Sequence, residues 1–187
     1  MDEQFKKFIN KYIWIVIILF SFRCLLSGEN LITNFSAYDI FCYAGEAIGV
    51  STFIMLLYEK ILWKYLHFED TPILYKSYVG TVTSSYDGNE YHASLKIEQT
   101  LLTIKIIFIS GESRSKSVCY SIDDLYGEKR LTYCYLNEPN ALARDRSPIH
   151  YGTAMLCLDN PKELTGQYFT DRKTTGDMKF KAENHNQ

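Results

Sequence analysis

The stretch from Ile40 to Leu66, IFCYAGEAIGVSTFIMLLYEKILWKYL, constrains this chain more than any other part of it. A small soluble domain has no interior wide enough to bury every face of so long a helix, whereas a bilayer offers roughly 30 Å of hydrocarbon. A second apolar run precedes it. Phe8 to Ser27, with Tyr12 to Leu26 (YIWIVIILFSFRCLL) at its centre, is also near membrane-spanning length. A basic start followed by an apolar run can be a secretory signal, but no small-residue cleavage pattern follows and a second apolar segment comes directly after. The two segments therefore predict a helical hairpin in a membrane, with Gly28, Asn30 and Asn34 as turn formers in the connecting loop. Lys6, Lys7 and Lys11 lie before the hairpin and Lys60 and Lys64 at its end, while the loop has neither Lys nor Arg. By the positive-inside rule both termini are expected in the cytoplasm. Tyr58, Trp63 and Tyr65 suit the headgroup region at the end of the second segment.

Arg23 and Glu46 fall inside these segments, and intramembrane charges usually have partners. In an antiparallel hairpin Arg23 and Glu46 differ in depth by only about 5 Å at the helical rise per residue. Arg23 can pair with Glu46, within one hairpin or between protomers, or it can snorkel to the interface. Glu46 lies within Gly45-x-x-x-Gly49, a spacing that lets a second helix approach closely. Arg23, Gly45, Glu46 and Gly49 are thus the candidate intramembrane and oligomer-contact residues.

Glu69-Asp70-Thr71-Pro72 ends the helical pattern and divides the chain into residues 1–68 and residues 69–187. Beyond it the periodicity changes from helical to alternating. Strands are expected at Ile73–Ser84, Tyr91–Thr100, Leu101–Ser110, Ser115–Ile122, Leu131–Leu136, Gly152–Leu158, Gly166–Asp171 and Asp177–Lys181. Asp87-Gly88 is a hairpin turn signal and Gly80 is read as a bend or bulge. Ser121–Arg130 is read as room for a short helical turn, and Asn137–Pro148 as a polar loop. About eight antiparallel strands in about 115 residues suit a small closed barrel with room for one modest ligand, a β-sandwich being the other architecture open.

The chemistry expected of such a barrel is binding rather than catalysis. The four histidines (His67, His92, His150, His185) and five cysteines have no metal-ligand spacing, and no CxxC pair occurs. No nucleophile, base and orienting group come together in a known pattern, so no enzyme activity, metal or cofactor is expected. A net charge of −2 gives no reason to expect a DNA or RNA polymer as partner. The widely spaced cysteines fit a reducing compartment. The informative stretch is Leu164 to Lys181, LTGQYFTDRKTTGDMKFK, read as two strands joined at Lys173 to Gly176. At period two, Tyr168, Thr170, Arg172 and Thr174 share one face, and a ring, two hydroxyls and a guanidinium there can stack on a base and pair with phosphate oxygens.

Taken together, a two-helix hairpin, a β-rich remainder and the closing string Gly166-x-Tyr168-x-Thr170-x-Arg172-x-Thr174-x-Gly176 resemble the two-transmembrane, β-strand-rich effectors of bacterial cyclic-oligonucleotide anti-phage (CBASS) systems. The resemblance implies an eight-stranded, lipocalin-like barrel in the cytoplasm that binds a cyclic dinucleotide from a partner nucleotidyltransferase. Binding would drive homo-oligomerisation of the hairpins in the bacterial inner membrane, disruption of its lipid and abortive infection. Tyr168, Thr170, Arg172 and Thr174 carry over as ligand-wall residues, with Tyr78 and Thr81 on the first strand as further candidates. A membrane-tethered carrier of lipid or small molecules and a ligand-free adaptor are the other classes that the residues leave open.

Overall fold

The computed structural model describes residues 3–27, 36–66 and 68–183 and divides the chain into two compact units. The expected turn formers Gly28, Asn30 and Asn34, and His67 and His185, lie outside the described residues. One unit is helical, comprising the residues up to Asp70 together with Thr100–Leu102. The other comprises Thr71–Gln99 and the chain from Thr103 onward.

In the helical unit, α1 runs from Glu3 to Leu26 and α2 from Ala37 to Leu57. Ser36 starts α2 with a capping box: its hydroxyl accepts from the Asp39 N–H, and the Asp39 carboxylate accepts from the Ser36 N–H. A π turn, Tyr58–Leu62, and α3, Trp63–Leu66, continue α2 without a break. Ala47, Ser51 and Met55 are the buried positions of α2 and recur every four residues, which makes them one face. Ile13, Trp14, Ile17, Ile18 and Phe22 of α1, and Phe41, Val50, Phe53 and Leu56 of α2, are exposed. Both helices are long and apolar enough to cross a membrane, and little of either is buried in protein. So much exposed apolar surface on two adjacent helices marks a membrane-associated protein. Tyr58 and Trp63 depart from the expected headgroup belt. They are buried with Met55 and Leu101, while Tyr65 remains exposed. Glu69 pairs with Lys11 and accepts from the Tyr58 hydroxyl at 2.7 Å, a compact ionic cluster among α1, the π turn and the end of the unit.

The second unit is a closed antiparallel barrel in which β1 to β8 follow one another in order and β8 pairs back onto β1. The strands are β1 Ser77–Ser84, β2 Glu90–Gln99, β3 Ile104–Ser110, β4 Ser113–Leu125, β5 Glu128–Pro139, β6 His150–Cys157, β7 Glu163–Thr170 and β8 Thr175–Ala182. All eight expected strands are present, and a barrel rather than a sandwich forms because β8 closes onto β1 from Tyr78↔Ala182 to Ser84↔Gly176.

Three local readings change. Ser121–Arg130 holds no helical turn: β4 and β5 form a long hairpin around Tyr126 and Gly127, both at positive φ (57° and 90°) as a two-residue primed turn requires. β5 runs on to Pro139, deep into the expected polar loop, before a short 3-10 turn at Ala141–Ala143. Gly80 causes no register break; a Cβ there would lie 1.9 Å from the Lys179 carbonyl oxygen, so glycine is required by the close approach of β8. Among the described residues the one register shift is in β4, between Ser117 and Cys119. It shifts the inward phase by one residue, so that Ser115 is buried before it and Tyr120 and Ile122 pack against the core after it.

The core fills only part of the barrel. Tyr78, Leu95, Ile106, Leu131, Ala154, Leu156, Leu164 and Phe180 are almost wholly inaccessible, and burying one large apolar side chain stabilises by about 1.5–3 kcal/mol. Tyr78 has a polar anchor there, since its hydroxyl donates to the Pro161 carbonyl at 2.8 Å and accepts from the Tyr75 N–H at 3.0 Å. Burial pushes the Tyr78 phenol up to about 12 and drives those of Tyr133 and Tyr135 upward as well. An unfolded tyrosine ionises near pH 10. The barrel therefore keeps its full stability below about pH 10 and loses it as pH rises towards 12, because only the unfolded chain can release these protons. In an alkaline titration the late phase of phenolate absorbance at 295 nm, from the buried tyrosines, should coincide with the loss of the barrel's circular dichroism. An exposed phenol, as on Tyr86 or Tyr126, ionises with the barrel intact, so it is the last part of the phenolate signal that should wait for unfolding; complete ionisation with the barrel intact would contradict the burial. A second expectation concerns Gly80→Ala, which should cost about 1–3 kcal/mol by overpacking against β8, read as a lowered midpoint in thermal denaturation.

Candidate functional site: an open cup in the barrel

Above the filled part the barrel is hollow, with a cavity of about 750 Å³ that opens at one end. Pockets for drug-sized ligands run to roughly 300–1,000 Å³. Val82, Phe108, Tyr133 and Met178 line its apolar part. Tyr135, Ser115, Asn137, Tyr168, Thr170 and Thr174 line its polar wall, and Asp87, Glu112, Arg146, His150 and Arg172 its rim.

Glycines make the wall possible. Gly152 faces Tyr135 across β5 and β6, and a Cβ there would lie 2.4 Å from the Tyr135 ring. Gly176 faces Tyr168 across β7 and β8, and a Cβ there would lie 2.4 Å from that ring. Each tyrosine ring thus occupies the space a side chain on the next strand would take. The Ser115 hydroxyl donates to Asn137 Oδ1 at 2.7 Å, and both residues are buried. The Asn137 amide hydrogens have no protein acceptor among the described residues, and neither do the hydroxyls of Tyr133, Tyr135 and Tyr168. Such groups in a wall suit a ligand that brings its own donors and acceptors.

The rim holds two guanidiniums in different states. Arg146 is paired with Glu112. Arg172 has no carboxylate partner among the described residues: Nη1 donates to Ser147 Oγ at 2.8 Å and Nη2 to the Arg146 carbonyl at 3.0 Å. The nearby carboxylate of Asp87 is engaged by the Tyr91 hydroxyl, which holds it below its usual range. Among the described residues, Arg172 is therefore a rim guanidinium with no carboxylate paired to it.

The β7–β8 turn lies earlier than the sequence suggested. The Lys173 N–H donates to the Thr170 carbonyl at 3.0 Å and Lys173 itself is left-handed at φ 62°, so the turn is Asp171–Thr174. Tyr168 and Thr170 stand on β7, Arg172 sits in the turn, and Thr174 returns so that its hydroxyl meets that of Thr170 at 2.7 Å. All four still line the cup. Tyr78 and Thr81 do not: Tyr78 is sealed in the filled part, and Thr81 lines a groove on the outside of the barrel. The parity of β1 explains this, since Tyr78, Gly80 and Val82 point inward and Thr81 outward. Tyr133, Tyr135, Ser115 and Asn137 were not singled out in the sequence. The alternation Leu131, Tyr133, Tyr135, Asn137 would have put them on one face, but the bulge that brings Ser115 opposite Asn137 leaves no such trace.

Comparison with known proteins decides the family. Residues 70–182 match the family described as Cap15, cyclic dinucleotide receptor domain. The chain belongs to the Cap15 family. It is also 30% identical, over 97% of its own length and 98% of the relative's, to CD-NTase-associated protein 15 of Staphylococcus schleiferi. The cup described above is the cavity of this receptor domain.

In the helical unit, Arg23 Nε donates to Glu46 Oε2 at 2.8 Å within one hairpin, and the guanidinium lies 4.2 Å from the Tyr43 ring centroid. Gly45 and Gly49 are exposed, and nothing lies within 4 Å of the place where a Cβ would stand on either. At 100° per residue they point away from the buried Ala47–Ser51–Met55 face.

The unpartnered hydroxyls give a stability test. Tyr133→Phe and Tyr135→Phe should leave the thermal midpoint of the barrel unchanged or slightly raised, since each removes a polar atom that has no protein partner. A loss of more than about 1 kcal/mol would reveal a hydrogen bond that the structure does not contain.

Proposed function

We propose that this protein is a membrane effector of CBASS anti-phage signalling whose cup receives a cyclic dinucleotide. The observation that carries the reading is Arg172, a rim guanidinium without a carboxylate, above a wall of unpartnered tyrosyl hydroxyls and an unpartnered amide. A cyclic dinucleotide brings two phosphates, two bases and ribose hydroxyls, which suit these groups in turn. Arg172, Thr170 and Thr174 would take a phosphate. Tyr168 and Tyr135 would take a base by stacking. The name of the staphylococcal relative supports a partner nucleotidyltransferase as the source of the ligand.

Arg172 holds the loop after β5 through Ser147 and the Arg146 carbonyl. A phosphate at Arg172 competes for those donors, so occupancy of the cup is felt at the rim. A ligand activates only by binding the assembled state better than the single protomer. The assembly surface in this reading is the open Gly45–Gly49 face of α2, where a second copy can approach closely. Arg23 and Glu46 are neutralised within each hairpin, so hairpins can associate without stranding a charge in lipid. The lysines in the first turns of α1 (Lys6, Lys7, Lys11) and those in the π turn and α3 (Lys60, Lys64) support a multi-pass topology in the bacterial inner membrane with both termini cytoplasmic. Assembly of hairpins there would disrupt the membrane and abort the infection.

Two measurements test this. Arg172→Ala should weaken cyclic dinucleotide binding by about 10- to 100-fold, the worth of a charge-assisted hydrogen bond, in calorimetric titration of the full chain, with the melting profile retained; unchanged affinity would remove Arg172 from the site. Gly49→Leu should abolish ligand-dependent cross-linking of the chain in vesicles while the ligand still binds, with only the share of affinity that assembly adds lost. Cross-linking that persists would move the contact to another face.

A further inference from the structure

We propose that Cys119 and Cys134 form a redox site on the outer wall of the barrel, closing into a reversible cross-strand disulfide. The two residues are direct partners in the β4–β5 ladder, immediately beyond the bulge. Both are free thiols. Both face outward: Cys119 precedes the core-packed Tyr120, and Cys134 lies between the inward Tyr133 and Tyr135. Cys119 is exposed and Cys134 partly so, with its Sγ 3.5 Å from Thr153 Oγ1.

The geometry of directly opposed residues permits the bond and strains it. Their Cα atoms stand about 4.5 or 5.5 Å apart according to the kind of ladder pair, and both values lie within the roughly 4.4–6.8 Å that disulfides span. Their Cβ atoms, about 4.5–5.5 Å apart in such a pair, must close to about 3.8 Å. A bond that draws two strands together in this way is strained and easily reduced, as a regulatory disulfide must be in a reducing compartment. Cys157 is no competing partner: it pairs with Arg130, four positions along β5 from Cys134, or roughly 13 Å.

The oxidant is a peroxide. The exposed Cys119 sulfur attacks one peroxide oxygen, breaking the O–O bond and giving a sulfenic acid and one water. The Cys134 sulfur then attacks the Cys119 sulfur and expels the sulfenic oxygen as a second water. Two thiols and one hydrogen peroxide thus become one disulfide and two waters, and a dithiol reductant reverses the step. The consequence lies on the other side of the wall. Cys134 cannot move towards β4 without moving Tyr133 and Tyr135, which line the cup. Oxidation of the outer face therefore retunes the ligand cavity, a consequence that rests on the function proposed above.

The full chain, in detergent or vesicles, is exposed to hydrogen peroxide and the remaining thiols are alkylated. Peptide mapping should find Cys119 joined to Cys134 in the same chain, with Cys157 alkylated and the link lost on dithiothreitol treatment. Cys119→Ser should abolish it. Cyclic dinucleotide affinity should shift by about threefold or more on oxidation, because binding groups tolerate displacements of only about 0.5 Å, and Cys119→Ser should bind equally with and without peroxide. Separate oxidation products, or a link only between chains, would overturn the site. A cross-link with unaltered affinity would overturn the retuning. Absence of cyclic dinucleotide binding by the reduced chain would count against the proposed function alone, since the cross-link is read without ligand.

Discussion

Closure of the sheet between β1 and β8 is the constraint on which the rest of this protein depends. An open eight-stranded sheet would leave two unpaired edges and no interior. Here β8 pairs along the whole of β1, and Gly80 lets the β8 backbone approach to a distance that any side chain would forbid. Gly166 does the same between β7 and β6, where a Cβ would lie 1.8 Å from the Met155 carbonyl oxygen. With the sheet closed, its inner face becomes a single enclosed surface.

Within that surface, side-chain size decides what is solid and what is hollow. Leucines, isoleucines and Phe180 fill one part, and Tyr78 fastens it to the Pro161 carbonyl. Towards the open end the inward positions change to glycine, serine, asparagine and threonine, with tyrosines lying over the glycines. The apolar part stabilises the fold. The polar part has hydrogen-bonding groups to spare, at some cost in stability, and this division of labour is what a receptor domain needs.

The helical unit shows a similar separation. One face of α2 is buried, the Arg23–Glu46 pair satisfies both charges within the hairpin, and the small-residue face remains open. Cohesion within the hairpin therefore leaves the Gly45–Gly49 face exposed. The π turn departs from regular helix where Tyr58 and Trp63 turn inward, beside the Lys11–Glu69 pair. Composition marks those two aromatic residues as amphipathic but does not say which side of the helix has a neighbour.

Much of this was legible in the chain itself. Two apolar runs of membrane length, the change to period two after Pro72 and the eight strands follow from local hydrophobic patterning, which acts over a few residues. So does the shared face of Tyr168 and Thr170. Contacts between distant residues were not legible. That Thr81 faces outward, that Ser115 meets Asn137, that Arg172 binds the loop after β5 and that Cys119 stands opposite Cys134 all depend on register, on a bulge and on where a turn falls. A shift of one residue reverses the facing of every side chain beyond it. The sequence by itself determined which segments are helix and which are strand, because those preferences are local. Tertiary structure decided which side chains share the cup, because only closure of the barrel fixes the phase of each strand against its neighbours.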